Sequence, residues 1–167
     1  MTDRDLISHF DADETTIRDI VSDTLHGADD GELYVEYSQN ESLTFDDGRL
    51  KSGSFNTGHG FGLRAVAGEA SGFAHAGELS LGALKRAAST AKAVTAGYTG
   101  AYAEPPRGTN TRLYSDENPI GAPSFEEKVR LLGEIDAYLR ERDPRVRQVS
   151  ASLAASHQVV DILRADG

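Results

Sequence analysis

Gly58-His-Gly-Phe-Gly-Leu-Arg-Ala-Val-Ala-Gly68 followed by Glu-Ala-Ser-Gly-Phe-Ala-His-Ala76 is the stretch on which the fold turns. Phe61, Leu63, Ala65 and Ala67 recur every second residue from 59 to 67, the period of a strand with one apolar face. Gly68-Glu69 turns the chain, and residues 70–76 form the next strand around Phe73. Gly60 and Gly62 fall on the face opposite Phe61 and Leu63, while Gly72, Ala74 and Ala76 share a face of their own. Upstream the same period continues. Leu33, Val35 and Tyr37 mark a strand from 31, Leu43 and Phe45 a short second one, and residues 49–55 a third. Asp47-Gly48 joins the last two as a type I′ hairpin signal, because that turn needs positive φ. Four or five strands with short links predict an antiparallel meander.

Helices flank this meander. Asp11 with Glu14 reads as a capping box opening a helix over 11–27, with Gly27 as its C′ residue and Ile17, Ile20, Val21, Thr24 and Leu25 as its stripe. Ser80 caps a second helix to about Ala96 whose inner face is Ala-rich. Ser124 with Glu127 opens a third, to about Arg142, with a stripe expected to be buried on Phe125, Val129, Leu132, Ile135 and Leu139. Glu126–Arg130 and Asp136–Arg140 are expected as pairs on its wet side. Between the last two helices, residues 97–123 hold four of the five prolines and read as a long loop. Strands over 146–154 and 158–164, joined near Ser156-His157, close the pattern. The expected class is α+β: a curved antiparallel sheet, about a five-strand meander plus a C-terminal hairpin, covered on one side by about three helices. Residues 1–167 form one domain in this reading, and Asp166-Gly167, a turn signal with no strand after it, suggests a fragment of a longer chain.

The 167 residues carry 17 Lys+Arg against 27 Asp+Glu, a net charge of −10. Nucleic-acid binding draws on Lys and Arg at phosphates, so direct DNA or RNA binding is disfavoured, as is an anionic membrane surface. No apolar run approaches the roughly 18 residues of a transmembrane helix. Met1-Thr2-Asp3-Arg4-Asp5 lacks the basic and apolar regions of a secretory signal, which makes the cytoplasm the expected compartment. With no cysteine there is no disulfide, thiolate nucleophile or Cys-based metal site.

Motifs for chemistry are few. None of His9, His26, His59, His75 and His157 falls in His-Glu-x-x-His, and His59 and His75, on neighbouring strands, lack a third metal donor. Gly58-x-Gly60-x-Gly62 leads into a strand, whereas a phosphate site needs glycines at a helix N-terminus. Those glycines fit either close packing or a groove for an extended peptide. Ser89-x-x-Lys92 copies a nucleophile spacing but lies in an Ala-rich helix and lacks the Ser-Asp-Asn companion. No residue is therefore assigned a catalytic, cofactor-binding or metal-binding role.

Several stretches, in this order, resemble the N-terminal domain of the TldD/PmbA family: Gly31-Glu-Leu-Tyr-Val-Glu-Tyr37, Asp47-Gly48-Arg49, Gly53-Ser54, the run from Gly58 to Gly68, Gly72-Phe-Ala74 and Arg147-Gln-Val-Ser-Ala-Ser-Leu153. Gly-x-Gly-x-Arg-Ala with Gly-Phe-Ala is closer to the TldD branch than to TldE (PmbA). The resemblance implies the front part of a zinc metallopeptidase subunit that acts with a TldE-like subunit, or with itself as a dimer, on unfolded protein or peptide. An older family label is modulator of DNA gyrase. The family's His-Glu-x-x-x-His zinc motif is absent here, so no cofactor is expected in this segment and zinc is implied for the longer parent only. The segment 49–64, with His59, Gly60, Gly62 and Arg64, is the expected substrate route. The alternative is a regulatory module that binds a protein such as gyrase without peptidase activity, its acidity mimicking DNA.

Overall fold

The computed structural model describes residues 5–101, 103–104, 115 and 117–165. Its order is a helix α1 (Glu14–Leu25), strands β1 (Asp30–Asp46), β2 (Arg49–Ala67) and β3 (Ala70–Ala76), helices α2 (Leu81–Lys92) and α3 (Phe125–Arg142), and strand β4 (Ser150–Leu163). Short 3₁₀ turns stand at Ile7–His9 and Ala93–Thr95. The strands form one antiparallel sheet in the order β3-β2-β1-β4, so the α+β class expected from the sequence is the observed one.

The strands are fewer and longer than the sequence pieces. The first two merge into β1, the next two into β2, and the C-terminal pair into β4. Residues 39–42 and 56–58, expected as links between strands, lie inside β1 and β2, since a ladder exposed to water tolerates polar residues because its hydrogen bonds are backbone bonds. Ser156-His157 forms no turn. Among the described non-glycine residues only Asp47 has positive φ, at 51°, and with Gly48 at 77° it makes the expected tight β1–β2 turn.

The chain divides into two compact units through which the long strands run. Unit 1 is Met1–Tyr37, Gly58–Arg112 and Val159–Gly167. Its core is apolar throughout: Ile17 and Val21 of α1, Leu33 and Val35 of β1, Leu63 of β2 and Leu84 of α2 are all fully buried. Each such side chain contributes about 1.5–3 kcal/mol when removed from water. The stripe of α1 lies where its period puts it, but the cap is Asp13 rather than Asp11. Asp13 accepts from the Thr16 amide at 2.8 Å, whereas Asp11 accepts from the Leu81 amide and so anchors the start of α2. Gly27 takes φ 79° after α1, as a C′ glycine does. Ser80 caps α2 as expected. A Cβ on Gly72 would stand 2.6 Å from the Ala91 carbonyl oxygen, so the small-residue face of β3 is where α2 approaches the sheet.

Unit 2 is Ser38–Thr57 and Leu113–Gln158. Its apolar interior is small: Leu43 and Phe45 of β1 with Leu132 of α3, bordered by Leu50, Val129, Ala151 and Leu153. Ser124 and Glu127 form the reciprocal capping box expected for α3. The stripe expected to be buried on α3 is corrected. Of its five members only Leu132 is fully buried; Phe125, Ile135 and Leu139 are exposed and Val129 is half-buried. Lys128 and Asp136 take the inward places beside Leu132. They can do so because each is paired: the Lys128 ammonium binds the Glu41 carboxylate and donates to the Ile120 carbonyl at 2.6 Å, and Asp136 holds Arg140 at 2.9 Å. Asp136–Arg140 is thus a partly buried pair rather than a wet one, and Arg130 pairs with Glu134 instead of Glu126.

Candidate functional site

The four residues singled out by sequence lie in unit 1, in the C-terminal half of β2. Gly62 pairs with His75 of β3 and Arg64 with Phe73, which puts the positions of Gly60, Gly62 and Arg64 on the sheet face away from α1 and α2, while His59 alternates to the face of Phe61. The smooth face is partly filled. The Phe73 ring lies over Gly62, where a Cβ would stand 2.9 Å from the ring edge, and it stacks on His75 with centroids 5.6 Å apart. An aromatic ring crossing to a glycine on the paired strand is a common way to cover bare backbone. Gly60 sits against β3's end, with the Ala76 carbonyl 2.8 Å from the place of a Cβ. His59 is exposed, and because His75 is opposite Gly62 the two histidines are not a directly paired couple.

Arg64 is a tethered cation. Its Nε and Nη2 donate to the two carboxylate oxygens of Glu32 at 2.8 and 3.2 Å, and Nη2 also meets Asp30 at 3.2 Å. Asp30 in turn accepts from Arg164 at 3.2 Å. The hydrogen bond to Glu32, followed by the nearby carboxylate charges, pushes the Arg64 guanidinium still higher. Two along from Glu32, the Tyr34 hydroxyl donates to Glu36 at 2.7 Å, and that bond raises the phenol. Charge on this face is therefore mostly neutralised within it, leaving apolar and backbone surface. Sequence reasoning missed the Arg64 clamp, although Asp30, Glu32, Tyr34 and Glu36 alternate along β1 in the way a polar strand face must.

A second feature belongs to the other half of β2. Every residue from 51 to 59 is exposed, so this stretch shows both faces to solvent. β3 pairs with β2 only over Phe61–Ala67, and β1 occupies the other side. Among the described residues, residues 51–59 therefore have one edge without a strand beside it. Such an edge presents a row of unpaired N–H and C=O groups, a template for another extended chain.

No three His, Asp or Glu side chains come together as a metal-holding group among the described residues. The donors present do not fit a catalytic metal, and no step through one is assigned to this chain. No helix among the described residues is long and apolar enough to cross a membrane. The Asp166-Gly167 turn signal and most of the Pro-rich stretch at 105–114 lie outside the described residues. Of the long loop, three described residues are fastened within unit 1: Gly100 donates to Gly27 at 2.9 Å, Ala103 to Asp29 at 2.8 Å, and the Tyr98 hydroxyl to Asp29 at 2.7 Å.

Comparison with known proteins places this geometry. Residues 31–95 match the family model described as PmbA/TldA metallopeptidase domain 1. A metalloprotease TldD homologue of Haemophilus influenzae is 36% identical over 142 residues, 83% of this chain and 30% of the relative. The homologue of the same name from Buchnera aphidicola subsp. Schizaphis graminum is 30% identical over 143 residues, 85% of this chain and 30% of the relative. The chain thus spans about 30% of the length of the curated relatives it matches. Among solved structures, a protein described as a modulator of DNA gyrase from Bacteroides thetaiotaomicron superposes with a TM-score of 0.66 at 15% identity, covering 93% of this chain and 38% of that one. TldE from Thermococcus kodakarensis superposes with a TM-score of 0.59 at 14% identity, covering 88% and 34%. At such identities these structures speak for the fold. Taken with the matched first domain and the TldD relatives, they leave one assignment: the chain belongs to the TldD/PmbA family and carries its N-terminal domain.

Proposed function

We propose that this chain is the non-catalytic N-terminal domain of a TldD-type metalloprotease subunit, and that it guides unfolded polypeptide toward a zinc centre held elsewhere in a longer parent. The single observation that carries the reading is the stretch 51–59 of β2, exposed on both faces and open along one edge. A chain entering there gains backbone hydrogen bonds, which reward extended substrate without choosing its sequence. A folded protein offers no free extended segment and is excluded. The neighbouring residues His59, Gly60 and Gly62 add little bulk, and Arg64 is held back from the path by Glu32 and Asp30.

The chemistry of bond cleavage is assigned to the parent, because the relatives are named metalloproteases while the described residues here assemble no metal donors. The parent works in this reading in the cytoplasm, with a TldE-like subunit or with its own copy. The test is photo-cross-linking of an unfolded peptide to the full-length complex. Labels are expected within 49–64; labels confined to other segments defeat the guiding role. The isolated chain is expected to hydrolyse no peptide. A parent reading frame that ends without His-Glu-x-x-x-His, together with capture of gyrase by the acidic chain, favours the binding-module reading instead.

A further inference from the structure

Phe55 of β2 and Phe125 of α3 both stand about half in water, at 57% and 50% exposure. Both lie beside Gly53. A Cβ on Gly53 would stand 3.1 Å from Leu43 and 3.9 Å from the Phe125 ring, so Gly53 faces α3 and the first residue of that helix lies over it. The capping box of Ser124 and Glu127 fixes where α3 begins, and with it the place of Phe125. Strand alternation puts Phe55 on the same face as Gly53, one repeat along, and puts Ser54 and Asn56 on the other. This part of β2 is therefore two-sided: aromatic toward α3, small and polar away from it, with the open edge alongside. A lone exposed Phe is ordinary; two next to an edge that lacks a strand lie where an added strand would place its side chains.

We propose that Phe55 and Phe125 give this edge a side-chain preference: it takes unfolded segments of other proteins in which apolar and polar residues alternate, the pattern of a strand torn from a client's own core. The inference rests on the reading of 51–59 as a peptide edge and adds what a backbone ladder alone does not supply, a choice of side chains. On a segment laid along Gly53 to Phe55, positions i and i+2 turn to the α3 side and cover the two rings, while position i+1 turns to the side of Ser54. Apolar residues at i and i+2 remove apolar surface from water on both sides of the contact. Polar residues there leave the rings wet, and an apolar residue at i+1 meets only hydroxyl and solvent. The two unlike faces thus select the occupant by its alternation. Folded proteins keep half-apolar strands inside a sheet; an unravelled sheet offers them.

The test uses the 167-residue chain and fluorescein-tagged peptides in fluorescence anisotropy. One peptide, about nine residues long to match the open stretch, alternates serine with phenylalanine or valine. Its scramble has the same composition with the apolar residues in one block. The alternating peptide is expected to bind roughly tenfold more tightly than the scramble. Phe55→Ser and Phe125→Ser, both at exposed sites and checked for fold by circular dichroism, are each expected to cut that preference to about threefold or less, while Phe55→Leu keeps most of it. Methylating alternate backbone nitrogens of the alternating peptide keeps its side chains but removes donors to the edge, and is expected to weaken binding by roughly tenfold or more. Equal affinity for alternating and scrambled peptides overturns the preference, and leaves the peptide edge standing where methylation still weakens both. Binding of neither peptide overturns both readings. A preference retained in full by both serine variants, binding indifferent to methylation, or an effect of Phe55→Ser seen only in self-association of the chain also overturns the proposal.

Discussion

In unit 1 the interior is made of Leu33, Val35, Leu63, Leu84 and their apolar neighbours, drawn from two helices and the sheet. Among the described residues of unit 2, the buried apolar cluster is Leu43, Phe45 and Leu132, with Ile120 and Val149 also buried, and the inward places of α3 beside Leu132 hold Lys128 and Asp136. The first unit draws on area removed from water. The second depends on charges whose desolvation is offset only while both partners are present. The contrast teaches that a helix can keep its caps and length while partnered polar residues share its inner side with one buried leucine.

The contrast can be broken most sharply at Lys128. Lys128→Met strands the buried Glu41 carboxylate and is expected to cost about 4 kcal/mol in chemical denaturation, whereas adding Glu41→Leu recovers most of the loss. If the single variant is as stable as the parent, the buried pair does not support unit 2. In unit 1 the matching cut is Leu84→Ala, expected to cost about 3 kcal/mol through its cavity, with no remedy from a second polar change. Gly72→Ala is expected to cost about 1–3 kcal/mol, since the added carbon meets the backbone of α2 rather than a side chain that can swing away. Hydrogen exchange should sharpen the comparison further: amides of α3 are expected to exchange faster than those of α1 and α2, and equal protection would erase the distinction.

The smallest expected effect is in acid, and it should be shared. Asp13 and Asp29 in unit 1, and Glu127 and Asp143 in unit 2, are held below the ordinary carboxylate range. The main causes are the Thr16 amide for Asp13, the Tyr98 hydroxyl for Asp29, the Ser124 amide for Glu127 and the Arg145 guanidinium for Asp143. A carboxylate lowered in the folded state adds stability above its unfolded value, near pH 4, and loses it as pH falls through the folded value. Melting temperature is expected to drop below about pH 4 in both units, and Asp29→Asn to flatten part of that slope. A slope unchanged by Asp29→Asn removes that carboxylate from the account.

Much of this was legible in the residues. Asp47-Gly48, Gly27, Ser80 and the Ser124–Glu127 box are local signals whose geometry is set within a few residues, and all four act as read. Two kinds of error have one cause, that periodicity shows amphipathicity but not what covers each side. On α3, Phe125, Ile135 and Leu139 have a proper apolar spacing yet are exposed, while Lys128 and Asp136 share the inner side with Leu132. The polar stretches within β1, β2 and β4 read as links between shorter strands, because an exposed strand and a loop are both polar in sequence. Asp13 replaced Asp11 as the cap because both precede the helix and only three-dimensional demand, the Leu81 amide, tells them apart. Alternation places Gly60 and Gly62 on one face as the structure has them, with His59 on the other, but the Glu32–Asp30 hold on Arg64 joins positions more than thirty residues apart.

The open stretch of β2 also sets a measure. Residues 51–59 are nine successive strand residues, and at roughly 3.3 Å each they extend for about 30 Å, alternate ones turning their N–H and C=O toward the open edge. A polypeptide laid along the full ladder must be stripped of its own structure over that same distance. Peptides of fewer than about five residues would engage only part of it and dissociate readily, while a floppy tail or an unravelled loop would reach from end to end. In the guiding role proposed above, the strand would gauge how much of a client has come undone.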